Sequence, residues 1–253
     1  MFVLEVRPPA PGFEERVEPF WLVPLLVHGV LVGEGRGRER RLGAHRVRAW
    51  PSGETARRLD AGQSREAERT MANEWGPLAG LIGDWEGEGG LDTAYSHAHR
   101  DVIGTPYREK CSMTPFGPVD NGPQKLYGLD YRSAMWRGDE QSPFHTEVGY
   151  WLWDGAAGEV VRGFVVPRGI AVLAGGTTSP DAGDFVLRAT NGGAPYAIGE
   201  NRYLAQNAST ASYEVRVIVG EGTWSYDEVA MLHMAGFEEP FAHRDHNTLR
   251  RVG

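Results

Sequence analysis

Phe144-His-Thr-Glu-Val-Gly-Tyr-Trp-Leu-Trp153 reads as a β-strand. Alternation along a strand puts Phe144, Thr146, Val148, Tyr150 and Leu152 on one face and His145, Glu147, Gly149, Trp151 and Trp153 on the other. Segments of the same kind recur on both sides of it, each bounded by turn residues. They cover Asp84–Leu91, Tyr107–Phe116, Gln124–Trp136, Val160–Val166, Gly169–Gly175, Asp184–Thr190, Glu200–Ala205, Ala211–Val219 and Thr223–His233. Pro118-Val-Asp-Asn-Gly122, Asp154-Gly155, Pro180-Asp-Ala-Gly183 and Asn191-Gly-Gly193 supply the turns between them, with Gly or Asn available wherever φ must be positive. About ten strands joined by hairpins, with no strand-and-helix alternation, predict an all-β fold: a single closed antiparallel barrel. Closure removes the sheet edges, and a barrel of roughly eight to ten strands encloses a lumen fit for one small ligand. Ahead of the strands, Glu74–Ile82 predicts a short helix, with Pro77 in its first turn and Leu78, Leu81 and Ile82 on one face.

The chain divides near Met71. Residues 1–70 hold twelve Arg, no Lys and ten acidic residues, whereas the remainder carries ten more acids than bases. Pro8, Pro9 and Pro11, and the Arg/Gly/His mixture from Arg36 to Arg48, predict an unstructured or weakly helical extension over 1–70 that builds no core of its own. Its one apolar run, Phe20–Val32, follows Glu14, Glu15 and Glu18 and is interrupted by Pro24, the wrong flank for a secretory signal. Met71 reads as a possible natural start, with 71–253 forming the barrel domain. The net charge of −8 argues against nucleic acid or an anionic membrane as a partner. One cysteine, Cys111, excludes an internal disulfide and any cysteine-built metal centre. With no apolar run of about 18 residues either, the expected setting is the cytoplasm, and a homodimer is the assembly considered.

Three regions carry candidate chemistry. In Gly83-Asp-Trp-Glu-Gly-Glu-Gly89, strand spacing puts Gly83, Trp85, Gly87 and Gly89 on one face, so that the Trp85 indole either plugs a barrel end or touches a ligand. His145 and Glu147 are same-face neighbours, suited to an acid/base couple or to a buried hydrogen-bonded pair. In the C-terminal stretch, Met231, His233 and Met234 lead through Pro240 to Phe241-Ala-His-Arg-Asp-His-Asn-Thr-Leu-Arg250. His243 and His246 share a face if this tail makes a helical turn. A zinc site there needs a third ligand, such as His233 or His145, brought in by the fold. Haem needs one imidazole, with its other nitrogen held by a carbonyl or carboxylate, beside an apolar slot.

Gly83-x-Trp85-x-Gly87-x-Gly89, then Phe144-His-Thr-Glu-Val-Gly-Tyr150, then a basic tail with a His several residues before Leu249-Arg-Arg-Val252 resembles the nitrobindin-like haem-binding β-barrels, over about Asn73 to Val252. That resemblance implies a barrel shaped like the fatty-acid-binding proteins, holding ferric haem b through one C-terminal histidine. Some members isomerise peroxynitrite to nitrate, and nitric oxide is a related ligand. On this resemblance His243, which opens His-x-Asp-x-Asn-Thr-Leu, is the iron ligand and His246 the reserve. Trp85, Met231 and Met234 would help shape the haem slot, and His145 with Glu147 would form a polar network near it. The usual family ending, His-Leu-x-Ala-x-Leu, is altered here, with Arg244 and His246 in place of Leu and Ala. Phe164-Val-Val-Pro-Arg-Gly169 likewise replaces a Thr-Gly pair, and its Arg168 is either a rim cation or a propionate partner. A barrel carrying a fatty acid without metal, or one filled by its own Trp and Tyr side chains, is the alternative.

Overall fold

The computed structural model describes residues 74–252. The expectations for residues 1–70 and for a start at Met71 lie outside the described residues. The chain enters through a 3-10 helix, Gly76–Leu81, with Pro77 in its first turn and Leu78 and Leu81 buried. Eleven strands follow: β1 (Gly83–Ser96), β2 (Asp101–Asp120), β3 (Lys125–Trp136), β4 (His145–Asp154), β5 (Glu159–Val166), β6 (Ile170–Thr177), β7 (Asp184–Asn191), β8 (Ala197–Glu200), β9 (Ala208–Gly220), β10 (Thr223–Met234) and β11 (Phe241–Arg251). They close a barrel in the order β1-β11-β10-β9-β7-β8-β6-β5-β4-β3-β2. Neighbouring strands run antiparallel except β7 and the short β8, which pair in parallel.

Two expectations about the strands are corrected. Glu200–Ala205 is not a strand: β8 ends at Glu200, and a one-turn helix, α1 (Arg202–Asn207), begins behind it. Asn201 drives the switch, because its side chain accepts the Leu204 backbone N–H at 3.0 Å and caps the turn. The tail is not helical: Phe241–Arg251 is the strand that closes the barrel against β1. His243, Asp245, Asn247 and Leu249 alternate inward while Arg244, His246, Thr248 and Arg250 face out.

One end of the lumen is packed shut beneath the entering helix. Trp75, Leu78, Leu81, Trp85, Trp151, Trp153, Val160, Val217, Trp224 and Leu249 belong to one buried core there. The Trp85 indole N–H donates to the Leu81 carbonyl at 2.8 Å, and the Arg251 guanidinium lies 4.3 Å from the Trp85 ring centre. Arg251 also donates to the Ile82 and Gly80 carbonyls, so the last strand is tied to the entering helix. Trp85 is thus the plug of this end. No helix among the described residues is long and apolar enough to cross a membrane.

Truncating that plug removes a fully buried indole together with its hydrogen bond. Trp85→Ala is expected to lower stability by about 3–5 kcal/mol in urea unfolding, whereas an unchanged midpoint would mean that Trp85 does not hold this end together.

Candidate functional site

A polar belt crosses the barrel above the tryptophan-filled end. At its centre is Arg162 on β5, buried and sandwiched by rings, with Phe164, Trp151 and Tyr131 centroids 4.3, 5.1 and 5.2 Å from its guanidinium carbon. Its Nη2 donates to Glu147 at 2.5 Å and to Tyr131 at 3.0 Å. Its Nη1 donates to Tyr213 at 2.5 Å and to Glu228 at 3.2 Å. β5 and β10 lie on opposite sides of the closed sheet, so the contact between Arg162 and Glu228 spans the lumen. At that level the barrel is filled by its own side chains.

His145 and Glu147 are brought together as a buried pair, His145 Nε2 lying 3.1 Å from Glu147 Oε1. Burial by itself would raise the Glu147 carboxyl, but the Arg162 guanidinium, with His145 and Tyr131, holds it down at about 2. Glu147 is therefore an anion locked to a cation, and its oxygens accept from Arg162, Tyr131 and His145. That is the hydrogen-bonded pair of the two readings, since every oxygen that a general base would use is occupied.

A second network adjoins the first. Glu109 accepts from Ser133 at 2.6 Å, Tyr226 at 2.8 Å and Asn247 at 2.9 Å. The Tyr226 and Tyr107 hydroxyls meet at 2.7 Å, and Tyr107 also bonds Asp245. Three contacts (Asp245 to Tyr107, Tyr107 to Tyr226, Tyr226 to Glu109) share only two hydroxyl protons, so a carboxyl supplies the third. Burial pushes both Glu109 and Asp245 up, Asp245 further under the added repulsion of Glu228. One of the two acids is held neutral, and the chain of hydrogen bonds is complete.

His243 lies toward the end away from the helix. It faces inward at 7% exposure, and its Nε2 bonds Asp92 Oδ1. His246 faces out and is exposed, so the two tail histidines cannot share one ligand. His233 also faces out. Among the described residues no group of three His, Cys, Asp or Glu side chains forms a metal cluster, and the zinc arrangement is set aside. Met234 is buried beside Leu232 and Ala208, with Tyr95, Ala230 and Phe241 against them. Met231 falls on the opposite face of β10, away from Met234. Arg168 is half-buried in the turn from β5 to β6, where its carbonyl accepts from Asn201.

Sequence reasoning missed Asp92, along with Arg162 and Glu109 of the two networks. Strict alternation from Trp85 places Gly87, Gly89 and Leu91 inward and Asp92 out. Instead, the pairing of β1 with β2 slips between Gly87 and Gly90, a bulge that reverses the faces. Gly90 and Asp92 are buried while Gly89 is exposed, which corrects the expected row of Gly83, Trp85, Gly87 and Gly89. Gly90 also makes room for Tyr107, because a Cβ there would run into the phenol ring. The signal present in the sequence was the Gly89-Gly90 pair, since glycine inside a strand marks bulges. Asp92 pairs across the seam with Asp245, and Asp245 pairs with Glu228, so three carboxyls stand side by side on β1, β11 and β10.

Burial pushes the His243 imidazole down to about 4, against the pull of Asp92. An unfolded chain takes up that proton near 6.5, so between pH 6.5 and 4 the unfolded state binds more protons and stability falls with the pH. Glu147 adds a second loss from 4.5 down to about 2, because its folded carboxyl protonates later than the unfolded one. Urea unfolding of the ligand-free protein at a series of pH values should show both limbs, with the upper one missing in His243→Ala. A wild-type profile that is flat from pH 6.5 to 4 would contradict the burial of a neutral His243.

The barrel is similar to the crystal structure of Rv2717c from M. tuberculosis, with a TM-score of 0.51 and 19% identity over 70% of this chain and 95% of that one. The likeness is one of fold. No curated protein sequence matches the chain. Residues 74–251, which include the bulged β1, the lumenal belt and the closing strand, match the family model described as THAP4-like, heme-binding beta-barrel domain. The chain therefore belongs to the THAP4-like family of heme-binding β-barrel domains.

Proposed function

We propose that this protein binds ferric haem b through His243 and isomerises peroxynitrite to nitrate in the cytoplasm, with nitric oxide as a further small ligand. The observation that carries the reading is the inward, buried His243 with a carboxylate on its Nε2. Metal-ligating histidines nearly always have one ring nitrogen held in this way, which fixes the tautomer and the ring orientation. Family membership supports the cofactor, and the fit of the residues supports the position.

Bound haem, held by His243, would supply a Lewis-acidic iron for the reaction. The rest falls to the chain. Phe164, Val166, Val172 and Ile198 give β5, β6 and β8 an apolar wall beyond the belt. Leu232 and Met234 extend apolar surface on β10. The hydrogen-bonded belt forms the floor and, together with the tryptophan-packed end, keeps water out from below. His145 stays tied to Glu147, and Glu147 to Arg162, so neither competes with His243 as a donor. No catalytic proton transfer is assigned to them.

A metal-free fatty-acid carrier is less well supported. Such a ligand needs a lumenal cation for its carboxylate, and Arg162 already holds Glu147 and Glu228. A second carboxylate there would have to displace one of them, and stranding a buried charge costs about 3–5 kcal/mol.

Haem titration of the purified protein, followed by absorption, tests the proposal. Wild type and His246→Ala should both develop the Soret band of histidine-ligated ferric haem, and His243→Ala should lose it or bind haem roughly ten- to a hundredfold more weakly. A band of equal strength and position in His243→Ala would overturn the assignment, as would no band in wild type.

A further inference from the structure

We infer that Asp92 is a positioning residue that makes His243 an unusually strong electron donor to iron, and that the bulge in β1 exists to aim it. The inference rests on His243 being the iron ligand, as proposed above, and adds what sets the character of that ligand.

Asp92 is fully buried. Its Oδ1 takes the His243 bond, and its Oδ2 has no hydrogen-bond partner among the described residues. A buried carboxylate that accepts two or three hydrogen bonds shares its charge among them, as Glu147 does with Arg162, Tyr131 and His145. Asp92 does the opposite. Its one bond goes to an imidazole, so its attraction for a proton is directed onto His243. An imidazole that donates to a carboxylate gains basicity on its ligating nitrogen, which favours ferric over ferrous iron.

The neighbours are arranged to preserve this. Asp245, directly across the seam, is hydrogen-bonded to Tyr107, and Glu228 accepts from Tyr213 and Arg162. The geometry depends on the slip at Gly87 to Gly90, because without it Asp92 would face solvent and the seam would offer His243 no carboxylate on β1. Bulges recur beside functional sites because they re-aim side chains, here turning the faces of β1 beyond Gly89.

The test uses the full chain loaded with haem and reads the iron rather than turnover. Asp92→Asn keeps the shape and removes the charge. It should raise the reduction potential, lower the iron–histidine stretching frequency of the ferrous form in resonance Raman spectra, and speed haem transfer to apomyoglobin by about ten- to a hundredfold. Asp92→Ser serves as a second variant if the first fails to fold, with circular dichroism and urea unfolding checking both. A role in folding alone would lower stability and leave the potential and the stretching band in place. A folded, haem-loaded Asp92→Asn with wild-type potential and stretching frequency overturns the inference while leaving ligation by His243 intact. A wild-type iron–histidine band that persists in His243→Ala removes the ligand assignment and this inference with it.

Discussion

The seam between β1 and β11 is the constraint on which the rest depends. These are the first and last strands of the barrel, and their pairing turns an open sheet with two edges into a closed one. The seam also brings the ends of the described chain together: Trp85 pairs with Arg251, and Asp92 with Asp245. At one end of this seam an indole is stacked under a guanidinium over a packed core. At the other, a carboxylate meets an imidazole. The strand pairing that closes the fold is thus the pairing that assembles the candidate ligand site, and neither residue of that site would be positioned without it.

The interior is polar in its middle, which is an expensive way to fill a lumen. Arg162, Glu147, Glu109, Asp245 and Asp92 are all buried. Ionised groups at such depth are tolerated only when paired and hydrogen-bonded, and nearly every atom here is. Arg162 meets two carboxylates and two phenols, while Glu109 meets a serine, a tyrosine and an asparagine. The exceptions are informative. Among the buried atoms without a partner are Asp92 Oδ2, Arg162 Nε and the indole nitrogens of Trp151 and Trp224. The first lies beside the candidate iron ligand and leaves Asp92 a single bond to make. The belt also divides the lumen, and the tryptophan-filled part below it serves stability.

Much of this was legible in the sequence, and the failures have physical causes. The strands with apolar inward rows were readable because period-two alternation of Val, Trp, Tyr and Phe buries one face of a strand and would scatter around a helix. His145 and Glu147 were readable as same-face neighbours for the same reason. The tail was not, because its inward residues are His243, Asp245 and Asn247, and polar side chains at inward positions hide the pattern. Glu200–Ala205 misled because a one-turn helix leaves no periodicity, and only its Asn201 cap gives it away. Asp92 was invisible to alternation, since a one-residue slip reverses which side chains face the lumen and only the Gly89-Gly90 pair hints at it. Arg162 and its phenolic partners lie on strands that were read correctly, but the closure that brings β5 opposite β10 is a tertiary fact that no local pattern carries.

On the proposed function, a porphyrin lies in the lumen beyond the belt, held by the His243 imidazole. Native mass spectrometry of the protein, purified from its own cells without added cofactor, tests this most directly. The expected species is the chain plus one haem, released when the protein is unfolded. A chain carrying a lipid instead, or emerging with nothing bound under conditions that keep other b-type haem proteins intact, would contradict it.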